Sequence, residues 1–199
     1  MTRFLRIIVV LAFLPLACAR AEGKPKTDDV INDYMQLYSS ALRSADRKYI
    51  ADTIVLIKNK YMGKADAISS IYYNLSQLYH KIGLNDEAIN SLKADKGPSG
   101  EFYLGTLLVR IGRKKDAQVL FSKLHSDLMS KLTSDQLDTK SKSSIVESLF
   151  IISIFLDLDI NSSAKEIIDK GLLMQDAVDE IKSRTNVPKE VLLDNMWPD

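Results

Sequence analysis

The chain has 199 residues, a formal net charge of +1 at pH 7 and a single cysteine. The balance of 27 basic and 26 acidic side chains gives no global electrostatic case for nucleic acid as a partner. Because the only cysteine is Cys18, the rest of the chain offers no thiolate metal site, cysteine nucleophile or redox pair.

Residues 1–21 are predicted to be a signal peptide. Arg3 and Arg6 form a basic start, and residues 7–16 form an apolar run that is shorter than the ~20 residues of a spanning helix. Small residues up to Ala21 then fit the pattern that signal peptidase reads. We expect export to the bacterial periplasm, since a eukaryotic exported domain of this size usually carries disulfides. Cleavage after Ala21 leaves a formal charge of about −2.

Cys18 is a candidate for lipidation. It follows Leu16 and Ala17 as the modified residue of a bacterial lipoprotein does, although Pro15 stands where an aliphatic residue is usual. The competing interpretation, which we favour, is simple cleavage after Ala21 or after Ala19 and no lipid. With a lipid, the protein would be an outer-membrane lipoprotein that faces the periplasm, because the residue after the cysteine is not aspartate.

After a leader at residues 22–26, one domain is predicted over residues 27–199. Its apolar residues recur at helical spacing, with Thr27 and Asp46 as caps of the first two helices, and strand signals are nearly absent. The predicted helices cover about 27–42, 46–62, 66–82, 85–97, 101–111, 114–132, 143–158, 162–173, 176–184 and 188–197. A polar connection is expected over residues 133–143. The predicted class is all-α.

Two stretches in the middle of the chain share one spacing, in which alanine follows a turn glycine by five residues. The recurring positions are Tyr72, Leu75, Ser76, Tyr79, Gly83, Ala88 and Leu92, and then Leu104, Gly105, Leu108, Gly112, Ala117 and Phe121. This pattern resembles the tetratricopeptide repeat, whose unit is an antiparallel helical hairpin. Weaker copies have Asp159 and Asp46 at the glycine position, and the steps between copies are irregular.

The resemblance implies an α-solenoid of three to four stacked hairpins, followed by C-terminal capping helices. It also implies a groove lined by the first helix of each hairpin. The groove residues it implies are Tyr73, Gln77, His80 and Lys81 in one unit and Phe102, Thr106, Val109 and Arg110 in the next. This mixture of aromatic, amide and cationic groups suits a peptide or a partner's helix. The alternative is that Tyr73 and Phe102 only pack between hairpins.

The predicted helix at 143–158 is apolar on nearly every side. Such a helix must be covered all round. We expect the C-terminal helices to cover it; the alternative is that one side is a second partner site.

No catalytic constellation is present in the sequence. His80 and His125 are far apart and have no second ligand at metal-binding spacing, and neither a nucleophile turn nor a phosphate-binding glycine loop occurs. We therefore expect no enzyme activity, no cofactor and no metal. The expected function is an exported interaction module that binds another protein or a peptide. The alternative is a periplasmic immunity protein that neutralises a toxin or hydrolase.

Overall fold

The computed structural model describes residues 26–64, 68, 70–96, 98–134 and 137–198. These residues form ten α-helices and no strand, which confirms the all-α class. The helices are α1 (Lys26–Arg43), α2 (Arg47–Tyr61), α3 (Ile71–Lys81), α4 (Asn85–Ala94), α5 (Pro98–Arg110), α6 (Lys114–Leu132), α7 (Thr139–Phe155), α8 (Ile160–Asp169), α9 (Gln175–Thr185) and α10 (Lys189–Met196). The predicted signal peptide, Cys18 and most of the leader lie outside the described residues.

The helices stack as hairpins, as predicted. Helix α1 packs against α2, α3 against α4, and α5 against α6, while contacts between α4 and α5 and between α6 and α7 join each hairpin to the next. The first helices α1, α3 and α5 lie side by side. The order changes after α7, which packs more extensively on α9 than on α8, and α10 returns to contact α5.

Glycine closes two of the hairpin turns. Gly83 and Gly112 both have φ of +83°, a conformation that costs an L side chain backbone strain. The residue after each glycine donates its N–H to the carbonyl five residues earlier, as in Leu84 to Tyr79 at 2.9 Å. This bond satisfies a carbonyl that the helix end leaves unpaired. The repeated glycine therefore ends α3 and α5.

The turn between α7 and α8 uses a different residue from the one predicted. Asp157, rather than Asp159, has the positive φ there, at +56°. Asp159 instead caps α8, because its carboxylate accepts hydrogen bonds from the Ser162 hydroxyl at 2.8 Å and from the Asn161 backbone N–H at 3.0 Å. These bonds hold the pKa of Asp159 below its usual range. The assignment of Asp159 to the glycine position of the repeat is thus wrong.

Close packing between α5 and α6 depends on a missing side chain. A Cβ added to Gly105 would lie 2.6 Å from the ring of Phe121. Ala88 and Ala117, which follow the turn glycines, are fully buried between helices. The small residues of the repeated pattern thus occupy buried positions, and at Gly105 the missing side chain leaves room for the Phe121 ring.

Several predicted helix boundaries are wrong. Helix α3 begins at Ile71 rather than near residue 66, and Ile68 before it already packs in the core. Helix α7 begins at Thr139 rather than at residue 143, because Asp138 caps it by accepting the Ser141 N–H at 2.7 Å. A capping carboxylate thus draws part of the polar connection into the helix.

Two hydrophobic clusters form the core. One lies between α1, α2 and α3, the other extends from α4 to Trp197, and the partly buried Tyr79 packs against both. Helix α7 is buried on nearly all sides, with Leu149 and Phe150 completely inaccessible, and it contacts α6, α8 and α9. Its apolar side chains are therefore core residues, and the alternative of a second partner site on this helix has no exposed face to support it.

Candidate partner-binding groove

Helices α3 and α5 bring five of the predicted groove residues onto one surface. We call this surface the groove and define it by Tyr73, Gln77, His80, Thr106 and Arg110. All five residues contact the same stretch of the chain. The contacts are hydrogen bonds, one ion pair and ring packing. That stretch comprises residues 188–198, hereafter the C-terminal segment, and contains α10 and Trp197.

Two groove side chains bind the end of α10. The carbonyl oxygen of Met196 accepts one hydrogen bond from the Tyr73 hydroxyl at 3.0 Å and another from Gln77 Nε2 at 2.5 Å. The last carbonyls of a helix have no partner within the helix, and here α3 supplies it. Backbone of the C-terminal segment is thus bound by side chains, which is how peptide grooves hold extended or helical ligands.

Gln77 also connects the groove to α1. Its Oε1 accepts a hydrogen bond from the hydroxyl of Tyr38, and its Nε2 donates to the hydroxyl of Tyr73 at 3.0 Å. Burial raises the pKa of both tyrosines well above the usual range, so both phenols stay protonated at neutral pH. The amide is therefore held in one orientation.

Trp197 occupies the centre of the groove and is completely buried. Its indole N–H donates to Thr106 Oγ1 at 3.1 Å, and the Thr106 hydroxyl in turn donates to the Tyr103 carbonyl at 2.8 Å. The rings of Tyr73 and His80 meet the indole edge-on, with centroids 5.6 Å and 5.7 Å away. A buried indole needs such a partner for its N–H, and Thr106 provides it.

Arg110 forms the charged end of the groove. Its guanidinium lies 2.7 Å from the carboxylate of Asp194, one helical turn before Trp197. The arginine side chain is 23% exposed and the aspartate 66%, so solvent screens this pair. An open cavity of about 400 Å³ adjoins Arg110 and is lined by residues of α5, α6, the end of α7 and α10. The ion pair therefore adds only about 0–1 kcal/mol to the stability of the fold.

The other predicted groove residues have different positions. Phe102 is fully buried and packs against Phe121 and Phe155, so it belongs to the core between hairpins. That position matches the alternative stated for it from the sequence. Val109 is half-buried on α5, and Lys81 is the last residue of α3, also half-buried.

The sequence predicted a short final helix that ends near Met196 and Trp197 but not where it would lie. One feature of the sequence points to a buried position for this helix. The only tryptophan of the chain follows it, after a start at Pro188. Burial of a large aromatic ring is favourable, so a tryptophan beyond the last helix favours contact with the fold. Nothing in the local pattern says that the groove is where it goes.

The described residues contain no group of three or more His, Cys, Asp and Glu side chains that could hold a metal ion. Among the same residues, no helix combines the length and apolar character that crossing a membrane requires. No family model, curated protein or solved structure matches this chain.

Proposed function

We propose that this chain is an exported interaction module of the bacterial cell envelope, related in design to tetratricopeptide repeats, which binds a partner protein or peptide in the groove. The observation that carries the proposal is the bound state of the C-terminal segment. The groove supplies hydrogen bonds to a backbone carbonyl, a pocket for an aromatic ring and a cation for a carboxylate. These are the groups with which a protein recognises a peptide.

Site-specific cross-linking in the bacterial host tests the proposal. A photo-reactive amino acid at His80 would lie in the groove, and the same amino acid at Val119, which is 73% exposed on α6, serves as the control. We expect a protein adduct from position 80 and none from position 119. Adducts from Val119 alone would show that the partner binds near α6 rather than in the groove, which would contradict the proposal.

A pair of arginine variants measures the contribution of the groove. Arg110→Ala removes the groove cation, whereas Arg113→Ala removes an exposed arginine that pairs with Asp116 in the adjoining turn. We expect Arg110→Ala to weaken binding of the cross-linked partner about fivefold or more and Arg113→Ala to leave it unchanged. Equal affinities of the two variants would show that Arg110 contributes no more to recognition of the partner than to its pair with Asp194.

The proposed location rests on the sequence alone and has its own test. Replacing Leu11 and Leu14 by arginine interrupts the apolar run, so we expect the protein to remain in the cytoplasm. We expect no incorporation of labelled palmitate at Cys18. Label in the wild-type chain that Cys18→Ser abolishes would instead show an anchored lipoprotein.

A further inference from the structure

The contact between the groove and the C-terminal segment combines apolar and polar groups. Leu192, Leu193, Met196 and Trp197 of the segment are buried in the larger hydrophobic cluster. Gln77, which is 5% exposed, and the fully buried Thr106 each add a hydrogen bond to the segment. In contrast, α5, α6 and α7 meet through the rings of Phe102, Phe121 and Phe155. Polar groups that lose their protein partners can bond to water if the surface opens. The groove can therefore exist without the segment at a lower cost than an apolar core surface could.

The C-terminal segment is a short element at the end of an exposed link. Its link to α9 runs through Asn186 and Pro188, both exposed, and its outer face presents Glu190 and Val191 to solvent. Helix α10 has only eight residues, too few to be stable as an isolated helix in water. Its order therefore depends on the groove, and a segment of this kind opens more readily than the hairpins beneath it.

We infer that the C-terminal segment is an exchangeable internal ligand, and that the groove accepts in its place a partner helix with an acidic residue one turn before an aromatic residue. This inference rests on the proposed function. Asp194 and Trp197 give the required chemistry: a carboxylate for Arg110 and an indole N–H for Thr106. Because the segment is tethered, it competes at a high effective concentration and lowers the apparent affinity of the groove for any partner.

A labelled synthetic peptide of residues 188–198 tests the exchange on the full chain. Asp194→Lys weakens the internal ligand at a position that is mostly exposed and leaves the groove intact. Glu190→Lys makes the same change of charge on the exposed face of α10 and is the matched control. We expect the peptide to bind the Asp194→Lys chain about fivefold more tightly than wild type, and the Glu190→Lys chain as wild type does.

A third variant shows where the peptide binds. Gln77→Leu, added to Asp194→Lys, removes the amide that donates to the carbonyl of residue 196. We expect this double variant to lose most of the peptide affinity. Undiminished binding would place the peptide outside the groove and overturn the inference.

The displaced segment has its own reporter, because Trp197 is the only tryptophan in the chain. In wild-type chain labelled with fluorotryptophan, saturating unlabelled peptide should move the single fluorine NMR resonance toward its position in denaturant. An unmoved resonance would show that the segment is a fixed part of the fold. The same conclusion would follow if the peptide bound all the chains with equal affinity, or bound none of them. If the peptide exchanges with the segment but photo-cross-linking finds no partner, the proposed function is contradicted and the inference about the internal ligand is supported.

Discussion

At the scale of single residues, the backbone conformation at turns separates glycines that are required from those that are not. Gly112 has φ of +83° and no atom within 4 Å of an added Cβ, so its requirement is purely conformational. Gly63 is equally open in space but has no positive φ. The two glycines therefore isolate backbone strain from steric contact.

We predict that Gly112→Ala lowers the free energy of unfolding by about 1 kcal/mol, because alanine is strained in the left-handed region. Gly63→Ala should leave stability unchanged or raise it slightly, since it restricts only the unfolded chain. Urea unfolding of both variants measures the difference. Equal losses in the two would mean that the turn of α5 does not depend on its left-handed residue.

His125 on α6 gives the fold a dependence on pH. Its Nε2 is buried and has no hydrogen-bond partner among the described residues, and desolvation lowers its pKa although Glu166 opposes the shift. The unfolded chain takes up a proton near pH 6.5, the usual value, whereas the folded chain does so only at lower pH. The contribution of neutral His125 to stability is therefore fully present above the usual pKa of 6.5, and it decreases as the pH falls toward the lower pKa of the folded chain.

We expect the free energy of unfolding to decrease from pH 7 to pH 5 and His125→Leu to flatten that decrease. Denaturant titrations at several pH values provide the measurement. Asp138 and Asp159, whose pKa values are lowered by capping bonds, act only in more acidic solution and do not obscure this range. An unchanged slope in the variant would assign the pH dependence to other groups.

At the scale of elements, α7 shows how an apolar helix is used. It has no polar side to turn to water, and contacts with α6, α8 and α9 enclose it. We predict that Leu149→Ala, at a fully buried position, costs about 2–5 kcal/mol through the cavity it leaves. Val119→Ala, exposed on α6, should cost less than about 0.5 kcal/mol. Similar midpoints for the two variants would show that α7 is less well packed than its burial indicates.

At the scale of the whole molecule, the hairpins and the C-terminal segment differ in how they are held. The segment shares an apolar cluster with the hairpins, but α10 has only eight residues and its order depends on the groove. We expect Trp197 fluorescence to change at lower urea concentration than far-UV circular dichroism, because the segment opens before the hairpins unfold. Coincident transitions would mean one cooperative unit. Asp194→Lys should widen the gap between the probes, and Glu190→Lys should not.

The sequence by itself determined the local structure of this protein. Helical periodicity gave the all-α class, and the turn residues placed the ends of α3 and α5 at Gly83 and Gly112. These features depend on residues a few positions apart, whose spacing directly encodes backbone geometry. Tyr73 and Arg110 lie on α3 and α5, the first helices of two hairpins, where the spacing of the sequence put them.

Only the tertiary structure decided that the C-terminal segment packs against those side chains. Tyr73 bonds to a carbonyl 123 residues further along the chain, and Trp197 fills a site formed by two separate helices. Burial of the tryptophan ring is favourable, but the sequence does not say which surface of the fold would bury it. Which surface is chosen depends on the stacking angle of the hairpins and on the reach of the link through Pro188. Those are properties of the assembled molecule, so the internal occupant of the groove could be seen only in the fold.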